Sequence, residues 1–363
     1  MGGSRYPKEV ITNDVLPTTK AILSVPFPAE FAEGARNATT TCLRIQKDEK
    51  VTIITDEKCV AIAASLAVEL ERIGCAWNAY VLEQVAQRPL TEMPKVVLDD
   101  METSQVSIFA VEVQPNELRS RMQMTDVVNR RRMRHAHMVN ITAEIMTQGM
   151  RADFAAVDRL SQAVLDRVRQ ATYVRATTAA GTDIHAQLNP EYKWFKTSGI
   201  ISTEKWGNLP GGECFTAPGE VNGVFVVDGV VGDFLCARYG ILRETPLTIA
   251  IENNRIAHIS CANKQLERDF EAYVHTDENS NRVGEFAIGT NIGVKRVIGN
   301  ILQDEKFPGI HIAFGDPYGA HTGAQWKSST HIDVVGLGFN IWLGNADGEE
   351  EQIMREGTFL IEA

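Results

Sequence analysis

The sequence predicts an α/β protein in two parts. An N-terminal parallel-sheet α/β domain occupies residues 1–170, and a mostly antiparallel α+β domain occupies 171–363. Three observations carry this. β-rich and helix-periodic stretches alternate through the first part, a strongly amphipathic helix closes it, and short strands broken by glycine-bearing turns follow. At 363 residues the chain exceeds one ordinary domain, and each part is long enough for its own core.

The first β-rich run is Val51-Thr52-Ile53-Ile54-Thr55, ending at Asp56. From Ala61 to Ile73 the apolar residues fall at helical spacing, with Glu69, Glu71 and Arg72 between them and Gly74 as the stop. Strands follow at Trp77 to Leu82 and at Val106 to Val111. Strand–helix–strand spacing implies parallel pairing with helices on the faces of the sheet. No glycine fingerprint follows the first strand, so nothing supports a dinucleotide site. Residues 128–138 carry a basic run with His135 and His137. In so acidic a chain the run reads as a solvated helix face or an inter-domain clamp rather than a nucleic-acid patch. On a helix, histidines two apart do not share a face, so this pair is set aside as a metal site. Phe154, Val157, Leu160, Val164, Leu165 and Val168 recur at three- and four-residue steps among Asp158, Arg159, Asp166 and Arg167, which predicts a helix whose end marks the domain boundary. Beyond it, turns are expected at Gly181-Thr182, Gly211-Gly212, Gly219, Asn222-Gly223, Asp228-Gly229 and Asn345 to Gly348, with one helix over Lys264 to Tyr273.

The formal charge of −11 and the isoelectric point near 5.3 argue against nucleic acid or an anionic membrane as the main partner. Cys42, Cys59, Cys75, Cys214, Cys236 and Cys261 form no CxxC pair and fit buried thiols in a reduced compartment. The opening residues lack a signal peptide's basic-then-apolar order, and Tyr6 departs from the myristoylation pattern. No apolar run approaches a membrane span. The expectation is a soluble, cytoplasmic protein.

Five good metal-ligating residues crowd the second part: Glu213, Glu285, His311, His331 and Asp333, with Tyr318 among them. Within Thr330-His331-Ile332-Asp333-Val334-Val335, an extended strand puts His331 and Asp333 on one face and Ile332 and Val334 on the other. Cys214 next to Glu213 would then face away, into the core. Three carboxylates with two imidazoles exceed the three protein ligands of a single hydrolytic zinc and suit two metals bridged by a carboxylate.

Four segments carry a family resemblance: Asn208 to Pro218, Gly284 to Asn291, His311 to Gly315 with Tyr318 beyond it, and Ser329 to Asp333. In order and spacing they resemble the ligand segments of the aminopeptidase T/aminopeptidase S metallopeptidases, and Gly149 to Phe154 and Ala180 to Asp183 also fit. The resemblance implies that Glu213, Glu285, His311, His331 and Asp333 ligate two divalent ions (zinc, cobalt or manganese). The family's oxyanion-stabilising tyrosine maps onto Tyr318, and Glu285 is our choice for a catalytic carboxylate that both ligates and handles the proton. The implied activity is removal of an N-terminal residue from a peptide or aminoacyl amide by metal-activated water, in a homodimer with an enclosed site. One departure stands out. Family members often carry two consecutive acidic residues at the first ligand site, where Gly212 precedes Glu213 in this chain. The segments Thr290 to Gly293 and Ala320 to Trp326, with His321, also differ, so a non-peptide amide substrate stays open. Two other readings remain: a ring-cleaving dihydroxypyridine dioxygenase with one Fe(II) on two histidines and a carboxylate, and a binding protein without turnover.

Overall fold

The computed structural model describes residues 19–362; the readings of the opening residues, Tyr6 included, lie outside them. The first strands are β1 (Lys50–Thr55), β2 (Ala76–Val81), β3 (Val106–Val111) and β4 (Arg134–Val139). Then come β5 (Tyr173–Thr177), β6 (Asp183–Gln187), β7 (Phe195–Thr197), β8 (Gly207–Asn208), β9 (Glu213–Thr216) and β10 (Glu220–Val227). The remainder are β11 (Leu247–Glu252), β12 (Arg255–Cys261), β13 (Val283–Gly289), β14 (Gly309–Gly315), β15 (His331–Val335), β16 (Asn340–Gly344), β17 (Glu350–Arg355) and β18 (Thr358–Phe359).

The first sheet has the order β2-β1-β3-β4-β8 and is parallel throughout. All six residues of β3 are buried, as expected for a parallel strand covered on both faces. Val51 and Ile53 pack with the helix Val60–Ile73 on one side, while Ile54 and Phe109 pack with Val97, Met101 and Met124 on the other. The two-residue strand β8 returns from the second half of the chain to complete this sheet, running beside Ala136 and His137.

Two antiparallel sheets follow, β12-β11-β10-β6-β5-β16-β17-β18 and β15-β14-β13-β9-β7. The predicted helix is present at Phe154–Val168, started by the Asp153 carboxylate, which accepts from the amides of Ala155 and Ala156 at 3.0 Å each. Its Phe154 and Val157 enter the core of the parallel sheet, whereas Leu160, Val164, Leu165 and Val168 enter the core shared by the antiparallel sheets. The helix Lys264–Tyr273 also falls where predicted. All six cysteines are free and buried, and among the described residues no helix is long and apolar enough to cross a membrane.

Two expectations need correction. Residues 128–138 are not one helix. A helix ends at Arg131, Arg132 turns left-handed at φ 51°, and β4 begins at Arg134. His135 and His137 therefore lie on one face of a strand, in contact, with His135 Nε2 3.1 Å from His137 Nδ1 and His135 Nδ1 2.8 Å from Ser107 Oγ. Burial lowers both imidazole pKa values, that of His137 to about 3, so both stay neutral at pH 7. The basic run misled because it straddles a helix end and a strand start.

The second correction is Asn222-Gly223, which is no turn but the interior of β10. Gly223 has φ 119°, and a Cβ there would stand 2.2 Å from the Asp183 carbonyl oxygen. The glycine serves close approach to β6, not chain reversal. Gly223→Ala is expected to destabilise the protein by at least about 2 kcal/mol, through both the backbone angle and the backbone contact; thermal or urea unfolding measures it.

Candidate metal centre

The third sheet brings the candidate residues together. Its pairing sets Glu213 opposite Gly289, Glu285 opposite Ala313, His311 opposite Ala287, Asp333 opposite Ala313 and His331 opposite Gly315. Each long polar side chain thus has a glycine or alanine on a neighbouring strand, which leaves room above the sheet. The opposite face holds Cys214, Phe286, Ile288, Ile310, Ile312, Phe314, Ile332 and Val334, all in the larger core. Strand alternation alone separates the polar face from the apolar one. Cys214 faces away from Glu213, as the sequence predicts.

All five predicted ligand residues converge. His311 Nε2 lies 3.2 Å from Glu285 Oε1 and 3.5 Å from Glu213 Oε2. His331 Nε2 lies 3.8 Å from Glu285 Oε2 and 3.4 Å from Asp333 Oδ1. Glu285 therefore offers one oxygen to each imidazole. His331 Nδ1 donates to the Asp316 carbonyl at 2.9 Å, which fixes the tautomer and leaves Nε2 facing the cluster. Glu213 Oε1 is held by Lys306 Nζ and by Thr197 Oγ1, both at 2.7 Å, so its other oxygen is turned toward His311.

Ligand atoms within 4.8 Å of one another form three overlapping groups: Glu213 with Glu285 and His311; Glu285 with His331 and Asp333; Glu305 with His311 and Asp333. Glu305 and its neighbour Lys306 were missed in the sequence, where Asp304-Glu305-Lys306 looks like any solvated charge run. In the fold Lys306 is fully buried and pairs with Glu305 at 2.5 Å as well as with Glu213. The missing second acid before Glu213 also has a structural reason. Gly212 has φ 132°, and a Cβ there would lie 2.6 Å from the Asn291 Cβ. A side chain there would collide with Asn291, and Glu305 brings a further carboxylate within reach of His311 and Asp333.

Tyr318 immediately precedes the short helix Gly319–Thr322, its ring centroid 4.4 Å from that of His331. It is 43% exposed, yet the exposed part faces a cavity of about 530 Å³ that it shares with Glu213, Glu285, His331 and Asp333. Burial and the nearby carboxylates hold its pKa well above the ordinary tyrosine value, so it remains a phenol able to donate. His321 is exposed and lines the same cavity, 5.5 Å from the Phe195 ring by centroids, outside the three ligand groups.

The donor set fits divalent cations: hard carboxylates and imidazoles, overlapping at Glu285, with too few cationic partners of their own. The protonation equilibria express this crowding. Burial alone would lower the His311 pKa, but Glu285 and Glu213 outweigh it and raise it to about 9. Burial is likewise outweighed at His331 by Asp333 and Glu285, which raise it to about 10. Burial, with Asp333 and Glu213 beside it, raises Glu305 to about 8. At Asp333 burial acts upward, but His331, His311 and Lys306 bring it down to about 2.

A profile of the thermophilic metalloprotease (M29) family matches residues 152–359, more than half of the chain, and the protein belongs to that family. It is thus a metal-dependent peptidase by family. Two solved structures share its fold. Wild-type AmpT from Thermus thermophilus is 17% identical at a TM-score of 0.67, covering 92% of this chain and 99% of that one. The 2,5-dihydroxypyridine dioxygenase from Pseudomonas putida KT2440 is 15% identical at 0.65, covering 92% and 98%. No curated protein matches the sequence.

His311, His331 and Glu305 all bind protons more tightly when folded without metal than when unfolded. Their contribution to stability is fully present below the unfolded values and is lost as pH climbs through about 8 to 10. The metal-stripped protein should therefore melt at progressively lower temperature from pH 7 to pH 10. Saturating zinc should flatten or reverse the trend, because cations replace those protons. A melting temperature that rises across this range without metal contradicts these protonation states.

Proposed function

We propose that the protein is an aminopeptidase that cleaves the N-terminal amide bond of peptides at a dinuclear metal centre. The observation that supports it best is Glu285, whose two oxygens face different imidazoles, His311 Nε2 at 3.2 Å and His331 Nε2 at 3.8 Å. In this reading Glu213, Glu285 and His311 would hold one ion, and Glu285, His331 and Asp333 would hold the other, with Glu305 within reach of both His311 and Asp333. Zinc, cobalt and manganese suit this donor set.

Two divalent ions, when bound, supply Lewis acidity toward the scissile carbonyl and lower the pKa of water. The rest belongs to the chain. Glu285 takes the proton of the attacking water and passes it toward the departing amine. Tyr318, kept protonated by its surroundings, donates to the carbonyl oxygen as charge develops there. Lys306 holds Glu213 and Glu305 apart at fixed positions, so the carboxylates need not reorganise during turnover. The walls of the cavity keep the substrate amide over the sheet face.

The fold alone also suits the ring-cleaving dioxygenase reading, but the ligand groups favour hydrolysis. Each of the three groups contains one imidazole and two carboxylates, whereas one iron on two histidines and one carboxylate needs the opposite ratio. A cytoplasmic homodimer forms part of the same proposal.

The purified protein, given zinc, cobalt or manganese, should release amino acids from short peptides. Tyr318→Phe should lower kcat about 10²- to 10³-fold with little change in KM, the cost typical of removing one oxyanion donor. Glu213→Ala should abolish turnover. Steady-state kinetics decide; full turnover by either variant overturns the assignment.

A further inference from the structure

Part of the cavity lining comes from the parallel sheet and its helix: His137, Val139 and Asn140 at the end of β4, Trp206 and Asn208 beside it, and Arg121 from the helix Leu118–Arg131. The crevice thus lies outside the carboxyl end of a parallel strand, where open α/β sheets place their ligands. Three basic side chains reach into it. Lys306 is neutralised by Glu213 and Glu305. Lys205 donates to the Lys196 carbonyl at 3.3 Å and lies over the Phe195 ring at 4.7 Å.

Arg121 differs. Its Nε is buried without a hydrogen-bond partner, and its guanidinium makes no ion pair or hydrogen bond among the described residues. The acidic groups that act on it, Asp233 and Glu117, do so only at a distance; Glu117 is committed to Arg88 at 2.6 Å. Removal from water pulls its pKa below the ordinary arginine value despite them. An arginine left unpaired in a half-buried position is costly, and fixed five-donor geometry makes carboxylate its best complement.

Resting on the aminopeptidase reading, we infer that Arg121 anchors a substrate carboxylate in the cavity it shares with Glu285, which would make the enzyme selective for short peptides with a free C-terminus. The same guanidinium admits a carboxylate and leaves a neutral carboxamide without an ionic partner. Selectivity then arises in binding and appears in KM more than in kcat. Neutralising Arg121 removes a half-buried charge that has no partner among the described residues, so the fold is expected to keep its stability.

Matched two- and three-residue peptides ending in a free carboxylate or a carboxamide test this on the full, metal-loaded protein. The free acid should show a kcat/KM at least about tenfold higher for one of the two lengths, the scale of one charge-assisted pair. Arg121→Met should remove that preference by raising KM for the acid alone, and Arg121→Lys should restore part of it. Equal rates on acid and amide, or an equal loss on both in Arg121→Met, overturns the inference while leaving the peptidase reading intact. Cleavage of neither peptide by the unaltered protein counts against the peptidase reading; the carboxylate site is then read by calorimetry with N-acetyl-leucine and N-acetyl-leucinamide. The acid should bind at least about tenfold more tightly than the amide, and Arg121→Met should abolish the difference; no difference in the unaltered protein overturns it. The melting temperature of Arg121→Met should equal or exceed that of the parent. A fall would assign Arg121 to the fold instead.

Discussion

Four carboxylates and two imidazoles gathered over one face of a five-stranded sheet create a concentration of negative charge that the protein itself only partly balances. Lys306, buried between Glu213 and Glu305, is the one lysine paired with them among the described residues. The imbalance raises the proton affinity of His311 and His331 and keeps Tyr318 a phenol. Whatever cation enters, proton or metal, relieves the same repulsion. Proton binding and metal binding therefore compete for one set of side chains, and the chemistry of the site follows from that competition.

The scaffold holds these groups in place cheaply. Strand alternation sends Cys214, Phe286, Ile312, Phe314 and Ile332 into the core and leaves Glu213, Glu285, His331 and Asp333 lining the cavity. Cross-strand pairing with Ala287, Ala313, Gly289 and Gly315 clears the space above the sheet. The parallel sheet supplies another part of the lining, with β8 tying the two halves of the chain together beside His137. The polar cluster and the apolar core are thus two faces of the same five strands.

Much of this was legible in the sequence where periodicity was strong. The amphipathic stripe from Phe154 to Val168 defines a helix at those residues, and His331 with Asp333 reads directly as one strand face. What escaped was set by tertiary contact. Glu305 and Lys306 carry no periodic signal, and only the fold reveals that their charges are buried against each other. Gly223 looks like a turn because an Asn-Gly pair usually is one; the near approach of Asp183 decides otherwise. His135 and His137 were misplaced because a run of arginines hid the break at Arg132.

The proposed chemistry depends on Glu285 lying between two cations. Crystals of the protein grown with zinc or manganese, and measured at the absorption edge of that metal, test it most directly. Two anomalous peaks are expected, one against Glu213 and His311 and the other against His331 and Asp333, with the Glu285 carboxylate between them. One peak alone, or density away from this sheet face, contradicts it.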